Sequence, residues 1–351
     1  MPQRMTGPLQ GVATAPPMFV RAAMAGIDRP LLHVVVDTEE EFDWTAPFSR
    51  RNTLVNAMAG LHRGQSLFRR FGITPSYMVD YPVVSDPRTA DILGPWAAAG
   101  DCLIGAQLHS WVTPPFEEVV CPYNSYACNL PPDLERRKLA VLTDAIAASL
   151  GQPPRIYKAG RYGMDIRREP MLRALGYDVD TSVMPYRSYA GVGGGPDFFG
   201  FPDQPFWTSP VRQFLFLPGT QSLVGPLHPM LSAGVAHGVF HGIGARLRLP
   251  GMLARLGLLE RINLTPEGVS LDEMCRLVTT LAARGCRVFA LALHSPSFMP
   301  GGTPYTRTAG DMEAMLTRIE RFLEFFFGTM GGEACTPVEL KQRLTPIPAL
   351  A

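Results

Sequence analysis

The stretch from residue 31 to residue 41, Leu-Leu-His-Val-Val-Val-Asp-Thr-Glu-Glu-Glu, narrows the choice of folds more than any other part of the chain. Its apolar run reads as a buried strand, and the strand stops in stacked carboxylates. Carboxylates this close repel and raise one another's pKa, so the cluster makes most physical sense around a cation or an abstracted proton. A metal-dependent hydrolase is the first expectation. The plainer alternative is an Asp37 that caps the next helix beside solvated glutamates, since acidic residues are also favoured at helix starts.

Two histidines also follow apolar runs: His109 after Cys102-Leu103-Ile104-Gly105, and His294 at the end of Val-Phe-Ala-Leu-Ala-Leu-His. Strand patterns at 31–37, 74–80, 102–107, 154–158 and 178–181 alternate with helix patterns at 53–70, 87–99, 132–150 and 166–175. Gly72 and Gly176 close the first and last of those helices. Further helices at 269–284 and 308–327 flank the strand that carries His294. Such alternation with short links predicts a parallel α/β fold. That fold gathers strand C-termini on one face, which would bring Asp37, Glu39, His109 and His294 together. A chain of 351 residues accommodates this as one large domain. The expected organisation is an N-terminal tail or strap at 1–29, a catalytic barrel at 30–330 and a C-terminal tail at 331–351. Within the barrel, a Gly-, Pro- and aromatic-rich insertion spans about 185–260.

Charge excludes some partners. Lys+Arg number 32 and Asp+Glu 31, so no basic excess marks a nucleic-acid footprint. Six cysteines without CxxC spacing, and an N-terminus without a charged-then-apolar leader, make a reducing cytoplasm the expected location. No run is long enough for stable membrane insertion, and Met230 to Leu259, with its arginines among leucines and glycines, comes nearest to a membrane-surface helix. His33, inside the first strand, reads as a hydrogen-bonded core histidine.

Five segments in order resemble the polysaccharide deacetylases, the carbohydrate esterase 4 group with the NodB homology domain, and within it the WalW-type branch. The first two motifs are Val36-Asp37-Thr38-Glu39-Glu40-Glu41-Phe42-Asp43-Trp44 and Ile104-Gly105-Ala106-Gln107-Leu108-His109-Ser110-Trp111. Tyr157-Lys158-Ala159-Gly160-Arg161-Tyr162-Gly163, Asp180-Thr181-Ser182-Val183 and Leu293-His294-Ser295-Pro296 stand for the other three. The resemblance implies a distorted (β/α) barrel with about seven parallel strands, a divalent metal at its C-terminal rim, and hydrolysis of an acetyl amide or ester on a sugar. By the same resemblance, Asp37 is the general base, Glu39 and His109 are metal ligands, and His294 is the general acid. Lys158 stands at the position of a catalytic arginine, with Arg161 as the residue to take over that role. Trp111, Tyr162 and Asp180 complete the set as substrate-binding candidates. Rim packing for Trp111 and backbone binding for Asp180 stay open as alternatives.

The chain departs from the family pattern at the metal. Glu39 replaces the commoner aspartate, and the second histidine of the pair is missing: Thr113 or Trp111 stands there, depending on register. Three protein ligands plus water is the usual catalytic minimum for zinc. Thr113, Gln107, Asp37, Glu41 and Asp80 are the candidates for the unassigned third ligand. Zinc is the expected ion, with cobalt, nickel or manganese as alternatives. The expected partner is an acetylated carbohydrate or glycoconjugate, and a homo-oligomer stays open. Two competitors remain: another amide or cyclic-amide hydrolase on the same barrel, and a catalytically silent carbohydrate-binding relative.

Overall fold

The computed structural model describes residues 19–347 apart from 25 and 210, so most of the expected N-terminal tail and the last residues of the C-terminal one lie outside the described residues. Thirteen strands are present among the described residues. They are β1 (Val20–Ala23), β2 (Leu31–Thr38), β3 (Ser76–Val79), β4 (Leu103–Leu108), β5 (Ile156–Ala159), β6 (Val179–Asp180) and β7 (Phe206–Trp207). The chain continues through β8 (Leu215–Phe216), β9 (Gln221–Val224), β10 (Glu260–Asn263), β11 (Val288–His294), β12 (Glu333–Ala334) and β13 (Thr345–Pro346).

Along the order β11-β2-β3-β4-β5-β6-β8 every pairing is parallel, and β7, β1 and β13 extend the sheet antiparallel. The result is a half-barrel of mixed sheet and helices. The β9–β10 ribbon lies against the free side of β11, where Ala290 N donates to Thr220 Oγ1 at 2.7 Å and Ala292 N to Leu264 O at 3.2 Å. Every residue of β2 is buried, as a strand between an interior and a helical layer must be.

The helices follow from patterning and punctuation. Leu271–Ala283 buries Met274, Leu277, Val278 and Leu281, an i, i+3, i+4, i+7 stripe, and its start is closed by a capping box between Ser270 and Glu273. Each such buried leucine contributes about 1.5–3 kcal/mol. Leu61–Arg70 begins later than the sequence pattern suggests, because residues 56–60 form a 3₁₀ turn first. Gly72 beyond it adopts φ +65°, a backbone setting that L side chains rarely take. The sequence pattern gives no sign of the short helix Tyr81–Ser85; Asp80 caps it by accepting from Val83 N at 2.9 Å.

Residues 331–347, read from sequence as a tail, carry β12 against β2, the helix Pro337–Arg343 with its fully buried Leu340, and β13. His33 is in the core as expected, but neither ring nitrogen has a hydrogen-bond partner, and burial drops its pKa to about 4, so it stays neutral among apolar neighbours.

Candidate active site

The parallel register assembles the site. His294 pairs with Asp37 across β11 and β2, and Gln107 pairs with Lys158 across β4 and β5. All four sit at strand C-termini, on the rim where this architecture presents side chains to one cleft. The cleft encloses about 520 Å³ and is lined by Asp37, Glu39, Gln107, His109, Lys158 and His294 among others.

Asp37 is locked by Lys158, whose Nζ lies 2.6 Å from both carboxylate oxygens. Lysine here, not Arg161, carries the pairing. Arg161 is held between Phe48 and Tyr126, 4.7 and 4.2 Å from the ring centroids, and donates to Ser125 Oγ. Arg161 and Tyr162 both adopt left-handed backbone, φ 54° and 60°. Each such residue costs about 1–3 kcal/mol and persists only where its surroundings hold it. Tyr162 is held by its stack on Tyr189, centroids 5.6 Å apart, and by Lys158 over its ring at 5.2 Å.

Three atoms converge beside Asp37. Gln107 Nε2 lies 2.9 Å from Glu39 Oε2 and 3.1 Å from His109 Nε2, and those two are 3.6 Å apart. A divalent ion with bonds of about 2.1 Å sets donor–donor edges of roughly 3.0–3.4 Å, so the triangle has the size of a metal's protein face. Gln107 Oε1 is buried and has no partner. Turning the amide therefore sacrifices nothing at that oxygen and presents it beside the carboxylate and imidazole, giving an O, O, N donor set. The side chains fit a divalent cation. Of the other candidate third ligands, Asp37 is taken by Lys158, Glu41 accepts from Ala57 N, and Thr113 Oγ1 donates to His109 O.

Behind this face, His109 Nδ1 lies 2.7 Å from Glu40 Oε2, while Trp111 Nε1 donates to Glu40 Oε1 at 2.8 Å and Glu40 N donates to Asp80 Oδ2 at 2.8 Å. Glu40, Asp80 and His109 form the one group of three His, Cys, Asp or Glu residues, among the described residues, with ligand atoms within 4.8 Å of one another. Glu40 and Asp80 are fully buried and do not line the cleft. Their geometry suits a supporting layer that fixes the imidazole tautomer and turns Nε2 to the cleft. Burial pushes Glu40 up to about 8 and Glu39 up to about 7, and raises Asp80 well above the usual carboxylate range. Gly160 makes room for the ring: a Cβ there would meet His109 Cδ2 at 2.2 Å.

His294 lines the same cleft. Glu267 Oε2 lies 2.7 Å from Nδ1, Glu267 Oε1 accepts from the His294 backbone N–H at 3.0 Å, and Nε2 faces Asp37 Oδ2 at 3.6 Å. Burial opposes the imidazolium, yet the carboxylates of Glu267, Glu39 and Asp37 outweigh it and carry the pKa to about 10. Trp44 packs edge-on against the ring, centroids 5.0 Å apart.

Of the expected substrate-binding positions, Tyr162 lines the cleft. Trp111 does not: it is 1% exposed, stacked on His109 and spent on Glu40, so it cannot stack on a sugar. Asp180 is fully buried and accepts from Ser182 N and Oγ at 2.9 and 2.6 Å; Ser182 Oγ in turn accepts from Ala159 N at 2.7 Å, steadying the end of β5. Sequence reasoning missed Glu267, Arg187 and Arg261, which also line the cleft. They lie outside the five motifs, and no sequence signal singles them out.

No family model matches the sequence, and no curated protein matches it. Solved structures do. A Mycobacterium smegmatis protein provisionally described as a polysaccharide deacetylase aligns at TM-score 0.50 and 14% identity, over 92% of this chain and 95% of its own. The allantoinase PuuE aligns at TM-score 0.50 and 16% identity, over 91% of each chain. A family 4 carbohydrate esterase from Streptomyces lividans, solved with acetate, aligns at TM-score 0.41 and 10% identity, over 91% of this chain and 97% of its own. At these identities the two alignments at TM-score 0.50 establish the fold alone: this chain shares the half-barrel of the provisionally described polysaccharide deacetylase and of the allantoinase.

Proposed function

We propose that the protein is a metal-dependent hydrolase that removes an acetyl group from an N- or O-acetylated sugar. The observation that carries the reading is the placement, in one cleft, of a Lys158-paired Asp37, a metal-sized face of Glu39, Gln107 and His109, and a Glu267-paired His294. When bound, a divalent cation would acidify water and polarise the acyl oxygen. Asp37 accepts the proton of the attacking water, and Lys158 holds its carboxylate in place for that transfer. As the carbon–nitrogen or carbon–oxygen bond breaks, His294 gives its Nε2 proton to the departing amine or alkoxide. With its pKa near 10 it is charged at neutral pH and ready to act as the acid. Glu40, through Nδ1, keeps the His109 lone pair on the cleft side.

A second reading, sugar binding without chemistry, is favoured by one observation. The Gln107 amide nitrogen lies within hydrogen-bond distance of both Glu39 and His109, so the face closes without a cation. Elemental analysis of the purified protein, before and after loading with zinc or cobalt, together with acetate release from N-acetyl and O-acetyl sugars, separates the two. Stoichiometric metal with acetate release supports the hydrolase; no metal uptake and no acetate sinks it. Ring opening of a cyclic amide without acetate release would instead assign the other hydrolase chemistry.

A further inference from the structure

We propose that the cleft recognises an anionic oxygen group, a carboxylate or a phosphate, on the molecule it binds, and that Arg187 and Arg261 hold it. Calling that molecule a substrate rests on the hydrolase reading above; the anion site stands on the charge layout. The cleft is lined by three carboxylates, and each is already engaged locally. Asp37 pairs with Lys158, Glu267 with His294, and Glu39 faces Gln107 and His109. Two more guanidinium groups, Arg187 and Arg261, face the same space with no carboxylate bridged to either among the described residues.

Arg261 donates to Tyr186 O at 3.0 Å and lies 2.9 Å from His241 Nε2, so its contacts are neutral and aim its fork rather than discharge it. Burial pushes Arg261 down to about 10, and the neighbouring Arg187 adds to that. Arg187 stands over the Tyr189 ring at 5.6 Å, on the wall that carries Tyr162. Two like charges lining one cleft, neither within 4.0 Å of a carboxylate among the described residues, beside Gln221, Asn263 and Thr265, make a receptor for an oxyanion.

The test uses sugars that lack an acyl group, so no turnover is needed. Titration calorimetry compares glucose, glucose 6-phosphate and glucuronate on the whole chain and on Arg187→Gln, whose side chain is exposed and has no structural bond to lose. The wild type should favour the anionic sugars by about tenfold or more, the preference should vanish in Arg187→Gln, and Arg187→Lys should keep part of it. The stronger of the two anionic ligands identifies phosphate or carboxylate. Equal binding of neutral and anionic sugars, or a preference unchanged in Arg187→Gln, overturns the proposal. Acetate assays on acetylated counterparts judge the hydrolase reading separately, because an anion preference can survive without acetate release.

We infer that residues 228–258 dock on an anionic lipid surface. From residue 204 to residue 259 the chain has no Asp or Glu, while Arg246, Arg248 and Arg255 are all exposed. Three short helices, Ala233–Phe240, Ile243–Arg246 and Leu249–Arg255, anchor inward through Ala236 and Phe240 on Leu223 and Leu259. Their outer side leaves Met230, Ile243, Leu247, Met252 and Leu256 between 52% and 79% exposed. Ile243 with Leu247, and Met252 with Leu256, have the i, i+4 spacing of one helix face. Among the described residues no helix is long and apolar enough to cross a membrane, and the contact proposed is interfacial.

Exposed aliphatics interleaved with unopposed arginines match the boundary between acyl chains and anionic headgroups. Each arginine near such a surface adds about fivefold, so three favour anionic over neutral vesicles by roughly a hundredfold. Co-sedimentation with phosphatidylcholine vesicles, with and without phosphatidylglycerol, tests this, beside the double variant Leu247→Glu, Leu256→Glu. Binding to the anionic vesicles that falls with salt and is lost in the variant supports the inference. Absent or charge-indifferent vesicle binding overturns it, as does a dimer in light scattering that the same variant abolishes, since the patch would then cover a second copy of the chain.

Discussion

Replacing Glu267 with Gln should lower the pKa of His294 by several units and thereby switch its resting state. Glu267 is the nearest carboxylate, 2.7 Å from Nδ1, and the imidazolium is held at about 10 against a burial penalty that works the other way. Charge centres about 4 Å apart interact by roughly 4 kcal/mol at an effective dielectric of about 20, or about three pKa units. Glutamine keeps the shape and an acceptor oxygen but removes the charge, so the midpoint should fall to roughly 7–8. Because the folded-state pKa lies above the unfolded value of 6.5, the pair's contribution to stability is complete below that value and is lost as the pH climbs through about 10. The variant should accordingly be less stable than the wild type by about 2–4 kcal/mol at neutral pH, with the gap closing at higher pH. NMR titration of the His294 ring and denaturant unfolding across that range read the two effects. The basic limb of any acetate-release profile should move down with the NMR midpoint. A midpoint displaced by less than half a unit, or a stability gap that does not change with pH, would refute the reasoning.

Asp37→Asn removes the proton acceptor and should reduce turnover by about 10²–10⁴-fold while the metal content, measured by plasma emission, is unchanged; wild-type turnover would remove Asp37 as base. Gly160→Ala places a Cβ 2.2 Å from His109 Cδ2 and 2.6 Å from Leu108 O, so the ring must move, and cobalt binding followed by calorimetry should weaken by at least about tenfold. Undiminished binding would show that His109 Nε2 does not take part. Glu40→Gln keeps the side chain's shape but puts an amide nitrogen where a carboxyl oxygen meets His109 Nδ1 or Trp111 Nε1, and should weaken the same binding by about 10–100-fold without touching the cleft.

The barrel was legible where strands are covered on both faces. The run at 31–37 and the strand patterns at 102–107 and 154–158 correspond to β2, β4 and β5 within a residue or two, because each is short, carries apolar residues and is set off by Gly or Pro just before it. The helix Tyr81–Ser85 was not, since five residues are too few to show a period. The convergence of Asp37, Glu39, His109 and His294 followed from parallel topology alone. What surrounds them did not. Glu267 and Arg187 reach the cleft from irregular connections, and Arg261 from the ribbon outside the main sheet, so none has a strand end to announce it. Trp111 reads from sequence as a sugar-stacking candidate, with rim packing as the alternative, yet its indole N–H turns inward to donate to Glu40 below the imidazole.

The vertex left by the missing histidine falls beside Glu39 and His109 in the cleft. The four carboxylates of the acidic run point in different directions, with Asp37 turned to Lys158, Glu39 to the cleft, Glu40 beneath His109 and Glu41 to Ala57 N. None of them replaces the lost ligand. Gln107 lies nearest that vertex, on β4 with β3 between it and β2, its amide nitrogen within hydrogen-bond distance of both Glu39 and His109. An imidazole Nε2 reaches as far from its backbone as a glutamine Nε2, so Gln107→His should set a nitrogen at that vertex and complete a carboxylate and two-histidine set suited to zinc. The variant should bind zinc at least about tenfold more tightly than the wild type and lose the contact that closes the face without metal. Calorimetric titration with zinc decides it, and the spectrum of the cobalt form gives a second view of the ligand set. If zinc affinity does not rise, the triangle of Glu39, Gln107 and His109 is a hydrogen-bonded closure of the cleft, and the sugar-binding reading is the one to keep.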